Sequence, residues 1–205
     1  MNHLEDAQDG DERMKRTRKE ERFRYKYCCM YNNNEFGYTE GYEFRKDGMQ
    51  METTKRIETA EELEQAFAIR RNVFVEEQGV PLQDEFDEFD RLDDRCGHLL
   101  IERGGLPVGT GRLRAVDGFG KLERICILEP YRKFGIGRQI VAGLEAIAAE
   151  QGLRKVKLHG QTQARGFYEK LGYSAASDEF MEDGIPHLLM VKTLHDPEVA
   201  SADAE

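Results

Sequence analysis

The sequence predicts a mixed α/β domain over residues 51–194, built on a mostly antiparallel sheet with one parallel connection. Three observations indicate this fold class. Three apolar, β-branched segments follow one another closely at 96–103, 106–116 and 121–128, which favours antiparallel strands joined by tight turns. A glycine-rich turn then leads into an apolar pattern with helical period. A further strand follows at 153–159, and strand–helix–strand implies a right-handed parallel connection.

The segment before these strands predicts one strand and one helix. Thr54–Glu58 has the composition of a short strand. Thr59 stands three residues before Glu62, and such a pair forms a capping box at a helix N-terminus. The helical pattern continues to about Phe74, and Gly79 ends it.

Short glycine-containing turns separate the three central strands. A Gly-Gly pair at 104–105 predicts a tight hairpin, and an Asp-Gly pair at 117–118 predicts the next turn. Gly109 and Gly111 lie inside the middle strand, where they indicate either a weakened strand or a β-bulge.

The helix after the glycine turn has one apolar face. That face carries Ile140, Leu144, Ile147 and Ala148, and Gly152 follows as a C-terminal cap. Beyond the strand at 153–159, a short helix is predicted over Ala164–Leu171. Tyr173–Ala175 and Ile185–Leu194 then close the sheet as a pair of strands.

The turn that precedes the long helix has the features of a phosphate-binding element. Its glycines, Gly135 and Gly137, allow a ligand to approach the backbone N–H groups at the positive end of the helix dipole. A dinucleotide fingerprint needs a third glycine where Ile140 stands, and a P-loop needs a Gly-Lys-Ser/Thr run that is absent from the sequence. The phosphate carrier is therefore expected to be neither a dinucleotide nor ATP held by a P-loop.

Two motifs in the chain resemble those of the GNAT N-acetyltransferases. Arg132-x-x-Gly135-x-Gly137 is similar to the acetyl-coenzyme A motif of that superfamily, and the run from Phe167 to Tyr173, FYEKLGY, is similar to its FYEKLGF segment. The resemblance covers about residues 55–194 and extends, through VFVEEQGVP, to a small bacterial subgroup. It implies the GNAT fold: six to seven strands, about four helices, and central parallel strands that splay apart.

The resemblance also implies a set of cofactor-binding residues. Acetyl-CoA, as co-substrate, would lie between the fourth and fifth strands, with its pantetheine arm against the fourth-strand backbone. Gln161 stands where the family often has asparagine, and Gln163 is a neighbouring alternative. The complete expected set is Ile125, Cys126, Ile127, Arg132, Lys133, Phe134, Gly135, Ile136, Gly137, Arg138, Gln161, Gln163 and Phe167.

Two residues are candidates for proton transfer. Tyr168 is expected to be the general acid toward the coenzyme A sulfur, because a phenol is protonated at neutral pH; the alternative is an aromatic side chain packed on a helix face. Glu123 is the candidate base, since strand alternation places it with Ile125 and Ile127; its alternative is an ion pair. His159, at the end of the fifth strand, is either a base or a histidine with satisfied partners.

An acidic segment lies between residues 80 and 95. It predicts either a solvated loop or a rim that attracts a cationic amine. Arg112 and Arg114 point the same way from the third strand and would bind a substrate carboxylate or pair with this segment. Glu77, Glu85, Asp87, Arg112 and Arg114 are the expected acceptor-side residues.

Composition excludes several classes of partner. The chain has 205 residues and a formal net charge of -10, which disfavours nucleic acid and anionic membranes. There is neither a long apolar run nor a signal peptide, so a cytoplasmic protein is expected. Residues 1–50 have the composition of a disordered extension, and we expect the functional protein to start at Met49 or Met51. Residues 195–205 have the composition of a flexible acidic tail.

Together these features predict an acetyl-CoA-dependent N-acetyltransferase. The acceptor would be a primary amine of a small molecule or peptide that attacks the thioester directly, without a metal, in a monomer or homodimer. Two alternatives stay open: an acyl-CoA-binding sensor without turnover, and an enzyme like the acyl-homoserine lactone synthases. The second rests on Glu85, Asp87 and Asp90 with Arg112 downstream, a pattern similar to the acidic signature of those synthases.

Overall fold

The structure is a computed structural model that describes residues 51–93 and 95–194. The expected N-terminal extension, 1–50, and the expected acidic tail, 195–205, lie outside the described residues. Among the described residues, no helix has the length and apolar character needed to cross a membrane.

One mixed sheet organises the described part of the chain. Its eight strands are β1 (Glu52–Arg56), β2 (Cys96–Arg103), β3 (Leu106–Val116), β4 (Phe119–Ile127), β5 (Lys155–Gln161), β6 (Ser174–Ala175), β7 (Phe180–Glu182) and β8 (Ile185–Thr193). They lie in the order β1-β2-β3-β4-β5-β8-β6, and β7 pairs with β8. The β4–β5 pair is parallel and the other pairs are antiparallel, which confirms the expected mixed sheet.

Within residues 51–93 and 95–194, four α-helices flank this sheet, as expected. They are α1 (Ala60–Arg70), α2 (Leu82–Glu85), α3 (Ile136–Glu150) and α4 (Arg165–Lys170). α1 begins with the predicted capping box, in which Thr59 and Glu62 satisfy each other's backbone N–H groups. Its last turn widens into a π-helical segment over Arg71–Glu77, and short 3₁₀ turns lie at Glu129–Tyr131 and Thr162–Ala164.

The core lies between α3 and the sheet. The predicted apolar face of α3 is buried, and Ile140 and Leu144 are fully inaccessible. Gly109 and Gly111 of β3 point at this helix, and a Cβ atom on Gly111 would lie only 2.8 Å from Ile140 Cγ2. These glycines are therefore required by the close approach of α3. Thr110 and Arg112 alternate with them and face the opposite side of the sheet, the α1 face.

β4 and β5 separate soon after they begin. They pair only at Gly120 with Val156 and at Lys121 with Lys157. From there the two strands diverge, so the β4 backbone beyond Lys121 is not covered by β5. This confirms the splayed parallel strands that the family resemblance implied.

A bulge in β4 overturns one expectation about Glu123. Arg124 has φ 54°, and the register with β3 shifts so that Arg112 pairs with Glu123 and Thr110 with Cys126. The extra residue reverses the alternation of side chains. Glu123 therefore lies on the α1 face with Arg112, and the prediction that it shares a face with Ile125 and Ile127 is wrong.

Other differences are small. The first strand begins two residues earlier than predicted, and β5 is shifted by two residues toward the C-terminus. β7 was not predicted, because three residues are too few to show a period of two.

Candidate active site

The glycine turn ends at the N-terminus of α3, as predicted. Gly135 is the N-cap with φ 80°, a left-handed conformation that favours glycine. A Cβ atom on Gly137 would lie 3.2 Å from Phe167 Cζ, so backbone and ring pack closely here. First-turn N–H groups and the helix dipole make this end of α3 suited to an anion.

The three cations around the turn have different surroundings. Arg132 forms two hydrogen bonds of 2.7 and 2.5 Å to the carboxylate of Glu77, and its Nε donates to the carbonyl of Ile127 at 3.1 Å. This pair ties the end of β4 to the π-helical segment. Lys133 and Arg138 are exposed beside the turn. Arg132 was expected to bind the cofactor and Glu77 the acceptor, whereas in the structure the two side chains bind each other.

A cavity of about 280 Å³ lies where β4 and β5 separate. Its wall is formed by the π-helical segment, α2, the two diverging strands, α4 and the β7–β8 hairpin. Lining residues from the two diverging strands and α4 include Glu123, Arg124, Ile125, Leu158, His159, Gln161 and Tyr168. The cavity thus brings together both candidates for proton transfer and the end of β5.

Tyr168 is buried at this cavity. Its ring packs edge-on against Phe167 and Tyr173, with centroids 5.0 and 5.8 Å apart, and lies 3.1 Å from the Cβ position of Gly160. Burial raises the pKa of the phenol to about 12. The hydroxyl is therefore protonated at neutral pH and able to donate a proton. The ring is packed, as one of the two alternatives from the sequence had it, and it also lines the cavity, where the acid role stays a prediction.

Two glutamines lie at the end of β5. The Gln161 side chain donates to Gln78 at 3.2 Å, and Gln163 donates to Gln161 at 2.9 Å. Gln161 also lines the cavity, and its contact with pantetheine stays a prediction.

Glu123 is held by three cations. Its carboxylate accepts hydrogen bonds from Arg114 at 2.6 and 2.7 Å and from Arg112 at 3.0 Å, and Lys121 lies 2.9 Å away. Burial alone would raise the pKa of this carboxyl, but the hydrogen bonds from Arg114 and Lys121 outweigh burial and hold it well below its usual range. Such a carboxylate is a poor proton acceptor, and the geometry supports the ion-pair alternative.

The acidic segment packs into the protein as a network of ion pairs. Arg70 binds the carboxylates of Glu85 and Asp90, and Arg112 binds Asp87 and Asp90. Arg70 and Glu85 expose only 2% and 3% of their surface. Glu85, Asp87 and Asp90 are thus bound to arginines, whereas Asp84 remains exposed at the cavity. Arg112 pairs with the acidic segment, which is one of the two roles that the sequence left open for this residue.

The remaining residues of this network have similar partners. Arg114 stacks on Phe89 at 4.0 Å while it binds Glu123, and Arg124 contacts Glu85 at 3.3 Å. The acidic residues that resemble the signature of the acyl-homoserine lactone synthases, Glu85, Asp87 and Asp90, are therefore bound to arginines of this chain. The sequence alone did not reveal that Arg70 is the centre of this ion-pair network. The available signal was the position of Arg70 in the helical pattern.

Cys126 lies in the strand that borders the cavity. It is buried, and desolvation raises the pKa of its thiol above the ordinary range. A neutral buried thiol is a poor nucleophile, which favours direct attack by the acceptor over a covalent enzyme intermediate.

A sheet opened between two parallel strands, beside a glycine turn that caps a helix, is the arrangement of an acyl-CoA-dependent N-acyltransferase. Comparisons with known proteins agree. A model of the acetyltransferase (GNAT) domain matches residues 43–194. The chain therefore belongs to the GNAT family of acetyltransferases.

Individual relatives and a solved structure resemble about two thirds of the chain. The chain is 61% identical over 140 residues to the uncharacterized protein YyaT of Bacillus subtilis, covering 68% of this chain and 95% of that protein. It is 47% identical over 133 residues to the uncharacterized N-acetyltransferase YjcF of the same organism, covering 64% and 93%. A crystal structure of an acyl-CoA N-acyltransferase from Pseudomonas aeruginosa is 29% identical, with a TM-score of 0.61 over 70% of this chain and 99% of that one.

Proposed function

We propose that this acetyltransferase moves an acetyl group from acetyl-CoA to a primary amine of a small molecule or peptide, by direct attack in a ternary complex. The observation that carries the proposal is the cavity between β4 and β5, which the buried hydroxyl-bearing side chain of Tyr168 borders. In this arrangement the acyl donor and the amine meet in one enclosed space, which lowers the entropic cost of reaction.

The donor side of the site has the chemistry that coenzyme A requires. The turn at 132–138 presents backbone N–H groups at the positive end of α3 to a pyrophosphate, with Lys133 and Arg138 beside it. Residues 125–127 of β4 lie beyond the last β5 pairing, so this stretch is open to a pantetheine arm that binds as an added strand.

Tyr168 is proposed as the general acid. The amine nitrogen forms a bond to the thioester carbonyl carbon, and the C–S bond then breaks with its electron pair on sulfur. The Tyr168 hydroxyl gives its proton to the thiolate, and the resulting phenolate takes the remaining extra proton from the new amide nitrogen. The high pKa of the buried phenol keeps this proton in place until sulfur departs.

The acceptor side favours a positively charged amine. Asp84, Glu182 and Asp183 line the cavity in addition to the carboxylates held in ion pairs. Asp84 lies on α2 and Asp183 in the β7–β8 turn, and both are exposed. We propose that these acids attract an ammonium group to the entrance of the cavity.

The test is release of free thiol from acetyl-CoA in the presence of a panel of primary amines. The wild type should release thiol with at least one amine, and Gly135→Asp should not, because a carboxylate at the N-cap repels the pyrophosphate and competes for the same N–H groups. Gly135→Asn is the matched control, with equal size and no charge. Acetyl-CoA binding without thiol release from any amine would favour the non-catalytic sensor.

A further inference from the structure

A histidine–carboxylate pair lies at the wall of the same cavity. His159, near the end of β5, places its Nδ1 atom 3.1 and 3.0 Å from the two carboxylate oxygens of Glu182 on β7. Phe180 packs edge-on against the His159 ring at 5.0 Å. Both members of the pair line the cavity, so the imidazole is held by two neighbours while it remains accessible from the site.

The sheet register places this pair and Tyr168 on opposite faces. Lys121 pairs with Lys157, and alternation from these residues puts His159 on the α1 face with Glu123. Gly160 alternates with His159 and lies under the Tyr168 ring on the α3 face. The opening between β4 and β5 joins the two faces, so a reacting centre within it would have an imidazole on one side and a phenol on the other.

The hydrogen bond to Glu182 fixes which imidazole nitrogen is available. An ionised carboxylate only accepts hydrogen bonds, so Nδ1 carries the proton in neutral His159. Nε2 is then left with its lone pair. The carboxylate also stabilises the imidazolium that forms when Nε2 takes up a proton. This is the local arrangement that a general base requires.

Other charged groups that line the cavity are less suited to this task. The carboxylates of Glu85 and Glu123 are bound by arginines, and Lys121 and Arg124 are the cations of such pairs. Asp84, on α2, and Asp183, in the β7–β8 turn, are exposed, so water competes for them.

His187 is the nearest competitor. It pairs with Phe180 across the strands and stacks on that ring at 6.2 Å. Its Nδ1 lies 2.8 Å from the carbonyl oxygen of Ile185, which fixes the same tautomer. A neutral carbonyl stabilises an imidazolium less than a carboxylate does, so His159 is the stronger candidate.

We propose that His159 is the general base of this acetyltransferase and that Glu182 is its positioning residue. Nε2 of His159 takes one proton from the acceptor ammonium, and the neutral amine that results attacks the thioester carbonyl. The imidazolium afterwards returns its proton to solvent. The inference rests on the proposed function, because it names the group that makes the acceptor nucleophilic.

The experiment compares two probe acceptors, 1,5-diaminopentane and hydroxylamine. The diamine is protonated at neutral pH and needs a base, whereas hydroxylamine is already unprotonated. His159→Asn should lower kcat for the diamine by about 10²- to 10⁴-fold and leave kcat for hydroxylamine and the KM for acetyl-CoA within a few-fold. Added imidazole should restore part of the diamine activity to His159→Ala.

Glu182→Gln tests the positioning role. It should reduce kcat for the diamine without changing the KM for acetyl-CoA, and ¹⁵N NMR of His159 should show loss of the single Nδ1–H tautomer. Glu179→Gln is the control, since it makes the same chemical change at an exposed position three residues earlier.

Several outcomes would overturn the assignment. These are equal losses for both acceptors in His159→Asn, no loss for either, or loss of diamine transfer in His187→Asn with His159→Asn unaffected. Transfer by the wild type to hydroxylamine alone would also count against a base. Failure of the wild type to transfer to any acceptor, with acetyl-CoA bound, would instead contradict the proposed function.

Discussion

Arg112→Met removes one of the two buried cations of the ion-pair network behind the cavity. The Arg112 side chain is 2% exposed and binds Asp87, Asp90 and Glu123 at 2.7, 2.8 and 3.0 Å. Methionine keeps an unbranched side chain of similar length but leaves these carboxylates without one of their cations. Removing one partner of a buried ion pair typically costs about 3–5 kcal/mol of folding free energy.

The remaining contacts decide where in this range the variant falls. Asp90 retains Arg70, and Glu123 retains Arg114 and Lys121. Asp87 keeps a 3.7 Å contact with Arg124, and because it is one-third exposed, water can also solvate it. We therefore expect a loss near the lower end, about 3 kcal/mol, which corresponds to a Tm lower by roughly 6–12 °C.

Thermal unfolding followed by circular dichroism measures this loss, with urea titration as a second measurement. Arg165→Met is the matched control, because the Arg165–Glu169 pair is 55% and 45% exposed and is worth only about 0.3–0.5 kcal/mol. A Tm loss for Arg112→Met no larger than that of the control would refute the view that Arg112 supports the fold. So would a stable Arg112→Met variant that had lost only acceptor binding.

Three further predictions concern packing, the acid and pH. Gly111→Ala should destabilise the domain by about 1–3 kcal/mol in urea titration, because the added methyl group would lie 2.8 Å from Ile140. An unchanged free energy of unfolding would contradict the close approach of α3. Tyr168→Phe should lower kcat by about 10²-fold or more while the affinity for acetyl-CoA is retained. Because the pKa of this phenol is about 12, its ionisation should cause no decline in the kcat of the wild type up to about pH 10. A decline in kcat near neutral pH that disappears in Tyr168→Phe would contradict this expectation. Burial raises the pKa values of Asp87 and Asp90, but hydrogen bonds from arginine outweigh it and lower both below 3.8. The folded protein then binds fewer protons than the unfolded chain, so these two carboxylates stabilise the folded state above about pH 4. This stabilisation is lost as the pH falls further. A Tm that does not change between pH 5 and pH 2 would contradict this direction of the pH dependence.

The sequence allowed prediction of those parts of the fold that rest on local patterns. The buried face of α3, the capping box at Thr59 and the strand–turn–helix order follow from periodicity and capping chemistry. The glycine turn was also visible, because positive φ at Gly135 is a property of the residue type.

Features that depend on contacts between distant segments were not predictable. The bulge at Arg124 has no local signature, and it moved Glu123 to the face of Arg112. Glu182 lies on a strand of three residues, so its meeting with His159, 23 positions away, became visible only in the folded sheet. Motifs indicated the residues of the proposed donor side, whereas the proposed acceptor side depends on how separate strands come together.

Calorimetric titration of acetyl-CoA into the full chain tests the central claim most directly. We expect a single micromolar site in the wild type, strongly weakened in Gly135→Asp and largely preserved in Gly135→Asn, since the carboxylate alone repels the pyrophosphate. No binding to the wild type, or equal affinity in the wild type and Gly135→Asp, would mean that the end of α3 is not the coenzyme A site. The proposed reaction would then have no donor.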